Sequence, residues 1–273
     1  MPETSLPDGR VAQYWLGGAD HGPAVLFFHG CPDTRWAART GDSAAREVGV
    51  RLLCVNRQGY GRSSRAPSTQ VSAAGDALAV ADSLGLGPLA ALGMSVGGGY
   101  AAACAATYPE RVTSLGIVAT LAPPEDEPEE TVEEAMRRFA PEFTEYVAGL
   151  APGDADDAAL VERFTSGLPP QDAELLVAAA STADLAASVR EALVDHDGYL
   201  RDAALTFRPW TSDLRSIECP TTLWYGASDR RAMPGGPWLA ERIPQAELVV
   251  TPGRTHLATL LGSWPEVLTA LVR

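Results

Sequence analysis

Apolar residues fall into short runs of strand length, separated by segments with helical spacing. The runs over residues 11–16, 24–29, 51–56, 89–92, 115–120, 221–225 and 247–251 are rich in aliphatic and aromatic side chains, which predicts strands. Helical patterns cover residues 35–47, 71–84, 237–242 and 264–272, and a small-residue helix is expected over residues 98–106. Strands that read as nearly continuous apolar runs and alternate with helices imply a mostly parallel sheet covered on both faces. The connections are then right-handed crossovers.

The alternation halts at Thr120 and resumes at Cys219-Pro220. Between them, residues 122–210 are acidic and alanine-rich, with helical periods and breakers at Pro141, Pro152-Gly153 and Pro169-Pro170. A long helical stretch between two strands of one sheet reads as a lid. The expected organisation is an α/β core from residues 1–121 and 211–273, with a helical lid over residues 122–210.

Charge sharpens this division. The chain has 273 residues and a net charge of −14, and all of its basic residues are arginine. Residues 122–210 hold 20 of the 35 acidic residues but only 6 of the 21 basic ones, so the whole excess sits in the insertion. An acidic shell disfavours nucleic acid and anionic membranes as partners. Its acidic side chains are expected mainly on the outer face, where water screens them. No run of 18 apolar residues appears, so no membrane span is expected. Residues 1–7 lack the basic head and apolar stretch of a secretory signal, which leads to an expectation of a cytoplasmic protein. Cys31, Cys54, Cys104 and Cys219 are far apart with no CxxC pair or Cys/His cluster. They read as buried free thiols, with no metal site and no disulfide framework.

The chemistry converges on a few loops. Gly93-Met94-Ser95-Val96-Gly97 stands between an apolar run and a helix. This is the context of a sharp turn that holds a serine hydroxyl at the top of a sheet, with Ser95 the candidate nucleophile. A serine needs a base, and the base needs an orienting acid. Of His21, His29, His196 and His256, only His256 follows the last expected strand, in Pro252-Gly253-Arg254-Thr255-His256. Asp229, just past a strand in Tyr225-Gly226-Ala227-Ser228-Asp229, completes the order Ser…Asp…His. Asp197 and Asp202 are rival acids, but both fall in the lid. An oxyanion would be held by the backbone N–H of Val96 and that of Cys31, in the loop Phe27-Phe28-His29-Gly30-Cys31-Pro32. The loop Asn56-Arg57-Gln58-Gly59-Tyr60-Gly61-Arg62-Ser63-Ser64 matches no phosphate-cradle pattern and reads as structural packing under the rim.

Together these pieces resemble the α/β-hydrolase superfamily. The matching features are His29-Gly30-x-Pro32, Asn56…Gly59-Tyr60-Gly61-x-Ser63, the turn around Ser95, Gly226-x-x-Asp229-x-x-x-x-Pro234 and Pro252-Gly253-x-x-His256. The resemblance implies the α/β-hydrolase fold, a Ser95–His256–Asp229 triad and no cofactor. It implies a small-molecule substrate, best matched by a small to medium, apolar carboxylic ester. Dehalogenases and epoxide hydrolases in this superfamily use aspartate as nucleophile, and Ser95 argues against both. A lactonising, cyclising, acyl-transferring or carbon–carbon bond-cleaving enzyme is an alternative, and so is a ligand-binding receptor on the same scaffold.

The chain departs from the usual pattern at Asn56, Gln58 and Asp33. Asp33 either caps the following helix, the favoured reading, or places a carboxylate at the pocket mouth. Candidate pocket residues are His29, Asp33, Met94, Phe139, Phe143, Tyr146, Tyr199 and Phe207. Phe164 is a further lid aromatic. Packing within the lid itself competes with a pocket role for these rings.

Overall fold

The computed structural model describes residues 2–193 and 195–273. The strands are β1 (Glu3–Ser5), β2 (Val11–Gly18), β3 (Ala24–Phe28), β4 (Arg51–Val55), β5 (Leu89–Met94), β6 (Val112–Val118), β7 (Thr221–Gly226) and β8 (Ala246–Thr251). They form one sheet in the order β1-β2-β4-β3-β5-β6-β7-β8. The pairs β1–β2 and β2–β4 are antiparallel, and every pair from β4 to β8 is parallel. β1 escapes an apolar-run reading because it is a short, polar edge strand. β6 begins three residues before its expected start, at Val112-Thr113-Ser114, where polar residues dilute the signal.

Every residue of β3 and of β5 is buried, as a parallel strand covered on both faces requires. The covering helices include α1 (Asp42–Val48), α2 (Gln70–Ser83) and α3 (Gly97–Thr107). α2 starts at a reciprocal cap in which Thr69 and Ser72 each bond the other's backbone N–H, at 2.9 and 3.1 Å. The helix expected over residues 35–47 is instead a 3₁₀ segment, Arg35–Gly41, followed by α1. The change falls at Gly41, which packs against the Trp264 ring so closely that a Cβ would collide with it.

Between β6 and β7 run α4 (Val132–Leu150), α5 (Asp157–Ser166), α6 (Pro170–Ala179), α7 (Thr182–Leu193) and α8 (His196–Thr206). They share a hydrophobic cluster of their own around Phe143, Leu160, Leu185, Val189 and Leu200. Pro170 opens α6, where its missing N–H costs nothing. Pro141, expected to break a helix, lies inside α4. It sits on an exposed side, as does Arg137, so the helix bond that the Arg137 carbonyl loses is lost on the solvent-facing side rather than in a core. The chain closes with α9 (Gly235–Ala240), α10 (Ala258–Leu261) and α11 (Trp264–Leu271). No helix among the described residues is long and apolar enough to cross a membrane. All four cysteines are free; Cys54 and Cys104 are buried, whereas Cys31 and Cys219 are only partly so, a correction to the expectation for these two.

Candidate active site

Four loops at the carboxyl ends of β3, β5, β7 and β8 meet in one place. Ser95 follows β5 with φ at +54°, a left-handed conformation that a serine adopts only under constraint. The constraint is visible. Its N–H donates to the Val118 carbonyl at 2.9 Å, and the Thr120 hydroxyl donates to the Ser95 carbonyl at 2.8 Å. The flanking glycines are obligatory. A Cβ on Gly93 would collide with the Gly97 carbonyl, and a Cβ on Gly97 with the Phe28 carbonyl.

Asp229 lies in the turn after β7 and is buried. Its Oδ1 accepts from the Ala232 N–H at 3.1 Å, and its Oδ2 is 2.6 Å from His256 Nδ1. Burial pushes its pKa up. The hydrogen bond and charge of His256, with the N–H groups of Ala232 and Arg231, outweigh that and hold it below the ordinary carboxylate value. A carboxylate only accepts, so Nδ1 carries a proton, and in the neutral tautomer that this fixes the lone pair is on Nε2. The His256 side chain is 32% exposed. Its loop is held by α6: Asp172 Oδ1 accepts from the Ala258 N–H at 2.9 Å and lies 2.5 Å from the Thr255 hydroxyl.

The loop after β3 passes beside the serine, and a Cβ on Gly30 would lie 3.6 Å from Ser95 Cβ. Among the described residues, neither the Cys31 nor the Val96 N–H donates to an acceptor within the protein. The Cys31 thiol is not activated: burial, then the charge of Asp202, pushes its pKa up.

A cavity of about 540 Å³ joins these groups. Ser95, Asp229, His256, Cys31, Val96, Asp33, Met94, Tyr199 and Phe207 all line it. Its wall is mainly apolar, from Trp36, Leu257, Leu260 and Trp264 of the core and Phe164, Leu168 and Leu176 of the insertion. Most of these aliphatic residues read from sequence as ordinary core, so no signal marked them.

Four expected pocket residues lie elsewhere. His29 is fully buried at the end of a central strand. Its Nδ1–H donates to the Gly30 carbonyl at 2.9 Å, and its ring packs edge-on against Tyr60. Phe139, Phe143 and Tyr146 face the other helices of the insertion, packing on Phe207, Tyr199 and Tyr199 respectively. These helices need a core of their own, and α4 supplies it.

Asp33 is corrected differently. The cap of the 3₁₀ segment is Thr34, whose side chain accepts from the Trp36 N–H. Asp33 Oδ1 instead accepts from the Ser188 hydroxyl at 2.9 Å and from the Thr34 N–H at 2.8 Å, at the cavity wall. The rival acids are also placed. Asp202 is bonded to Arg57, Tyr60 and Tyr100, and Asp197 packs against Gly59. The acidic residues of the insertion lie mainly outside, with a few turned inward. Asp172 and Asp202 are buried, and Glu191 pairs with the buried Arg35 at 2.8 Å.

Comparisons with known proteins agree with this architecture. The family model of the α/β-hydrolase fold matches residues 23–263. A pimeloyl-(acyl-carrier protein) methyl ester esterase from Chromobacterium violaceum is 32% identical over 246 residues, spanning 86% of this chain and 87% of that protein. An epoxide hydrolase from Caballeronia sordidicola is 34% identical over 99 residues, spanning 34% of this chain and 30% of that protein. The structure of a thermophilic esterase from Thermogutta terrifontis superposes over the whole of both chains with a TM-score of 0.71 at 24% identity. With the motif spacing, the sheet order and a family match across both the core and the insertion, the chain belongs to the α/β-hydrolase family and is an enzyme of that class.

Proposed function

We propose that the enzyme is a serine hydrolase that cleaves a small to medium, largely apolar carboxylic ester through an acyl-enzyme. The observation that carries this reading is the 2.6 Å contact of His256 Nδ1 with Asp229 on the same cavity as the strained Ser95.

His256 Nε2 takes the Ser95 proton as Oγ attacks the ester carbonyl. Asp229, kept ionised, fixes the imidazole tautomer and balances the imidazolium that forms. The N–H groups of Cys31 and Val96 bond the oxyanion of the tetrahedral intermediate, and α3, which starts beside Ser95, directs its positive end at the same charge. Collapse expels the alcohol, which leaves with the proton from His256. Water then attacks the acyl-enzyme, gives its proton to His256, and releases the acid as Ser95 regains its hydrogen.

In this reading residues 122–210 act as a lid. Tyr199, Phe207 and Phe164 form the wall that meets the substrate, and they set which esters fit. An ester is favoured over an epoxide because ring opening through an alkyl-enzyme needs a carboxylate where Ser95 stands. The esterase relative points the same way. A panel of p-nitrophenyl esters from acetate to octanoate tests the reading. Saturable turnover with a preference among acyl lengths supports it, and no turnover of any member contradicts it.

A further inference from the structure

Asp202 belongs to α8, in the insertion, yet it is 2% exposed and lies among residues of the core. Its Oδ1 accepts from the Tyr100 hydroxyl at 2.6 Å and from Arg57 Nε at 3.1 Å. Its Oδ2 accepts from the Tyr60 hydroxyl at 2.6 Å and from Arg57 Nη2 at 2.5 Å. Both oxygens are thus doubly bonded, as a buried carboxylate requires.

The other side of the Arg57 guanidinium faces the loop after β3. Nη1 donates to the His29 carbonyl at 2.8 Å and Nη2 to the Gly30 carbonyl at 3.0 Å. The Gly30 carbonyl shares a trans peptide unit with the Cys31 N–H, and in such a unit the two dipoles point in opposite directions. The Gly30 oxygen is gripped by the Arg57 guanidinium and by the His29 Nδ1–H at 2.9 Å, and these bonds aim the Cys31 N–H. Glycine at position 30 makes rotation of this peptide cheap, so the grip matters. Arg57 is itself almost fully buried, and burial alone disfavours its cation. The Asp202 carboxylate, first among the partners, acts with Tyr100 and Tyr60 to outweigh that cost, and its two bonds to Arg57 keep the guanidinium charged and oriented.

We infer that Asp202 is a positioning residue: through Arg57 it sets the direction of the Cys31 N–H, so that the oxyanion site is complete only when the inserted helices are docked. The inference rests on the serine-hydrolase reading above. It gives the insertion a part in the chemical step as well as in substrate choice. It also explains why a carboxylate is buried in a segment whose other acidic residues mostly face water.

The test is Asp202→Asn in the full chain, assayed with p-nitrophenyl butyrate and with an alkyl trifluoromethyl ketone, which adds Ser95 to form a hemiketal oxyanion. The expected result is a kcat lower by roughly 10- to 100-fold, less than or up to the loss of a whole oxyanion donor, with KM changed by no more than about twofold. The ketone Ki rises by the same factor as kcat/KM falls. A crystal structure of the variant shows the Gly30 carbonyl turned away from Arg57. A merely structural role lowers the amount of active enzyme but leaves the Ki of the remainder unchanged. Tyr100→Phe removes one hydroxyl and keeps the ion pair, so it guards against a variant that fails to fold. It is expected to lower kcat about threefold, with Ki following. Turnover by wild type with an unchanged Ki in either folded variant overturns the inference alone. A wild type that hydrolyses none of the esters and binds no ketone overturns the serine-hydrolase reading and the inference with it.

Discussion

The sheet and the helices inserted into it hold together by different means. In the sheet, β3 and β5 bury every residue, and their order follows from apolar area removed from water on both faces. The helices α4–α8 bury a smaller cluster and keep long exposed faces, as α4 does with only Ala135, Phe143 and Leu150 buried. They dock on the core through charges. Arg35–Glu191 and Arg57–Asp202 are buried or nearly so, Asp172 grips the His256 loop, and Arg39–Asp184 is half-exposed. An exposed pair contributes about 0–1 kcal/mol, whereas removing one partner of a buried pair costs about 3–5 kcal/mol. The lesson is a division of labour. In the proposed reading, Ser95, His256 and Asp229 stand on loops of the core, the His256 loop braced by Asp172, and the insertion, whose docking is polar and specific, adds its own part of the cavity wall.

That contrast breaks first, if it is wrong, at the core. Ser95→Ala is expected to lower kcat by about 10⁶ without lowering Tm, and Ser95→Ala combined with His256→Ala is expected to be little worse than either alone. Multiplicative losses in the double variant, measured by single-turnover kinetics, would show that His256 is not the base for Ser95.

Asp229→Asn comes next, with a kcat lower by about 10⁴ because the amide favours the wrong imidazole tautomer. Near-wild-type turnover by Asp229→Asn would place the acid elsewhere.

The insertion is expected to respond in selectivity. Tyr199→Ala and Phe207→Ala should change the ratio of kcat/KM between short and long acyl esters, on the order of tenfold, with the labelling rate of Ser95 by a small fluorophosphonate preserved. Equal changes for every ester would remove the insertion from substrate choice.

The smallest effect lies at the seam, where Asp33 of the core meets Ser188 of α7. Burial raises the Asp33 pKa from 3.8 to about 6. The folded state therefore holds this proton longer than the unfolded chain. Its contribution to stability is complete below about pH 4 and is lost as pH rises through 6. Asp33→Asn lacks that loss, and its amide oxygen can still accept from Ser188 and Thr34. Its Tm relative to wild type should rise between pH 4 and pH 8; a difference independent of pH would contradict the assignment.

Legibility divided along the same line. The parallel strands were readable because burial on both faces leaves apolar runs, and the turn at Ser95 because only glycine fits on either side of it. The β1 edge and the start of β6 were not, since polar strand residues carry no such signal. In the insertion, helical content was readable but direction was not. Phe139, Phe143 and Tyr146 turned inward to their own cluster, while Asp172, Glu191 and Asp202 turned toward the core. Composition puts the acidic residues mainly outside; it cannot tell which of them turn inward, because it cannot see that Arg35 and Arg57 are buried and need counter-charges. Asp33 was misread for a related reason: Thr34, one residue on, provides the cap. The loop carrying Arg57 had the appearance of packing, and its grip on the His29 and Gly30 carbonyls exists only in three dimensions.

The central claim is that Ser95 is a nucleophile activated by His256. Incubation of the purified enzyme with a fluorophosphonate, followed by peptide mapping by mass spectrometry, tests it most directly. The account predicts one adduct per chain, on the peptide containing Ser95, formed at a rate that falls by several orders of magnitude in His256→Ala. Labelling at another residue, or an undiminished rate in His256→Ala, would contradict it.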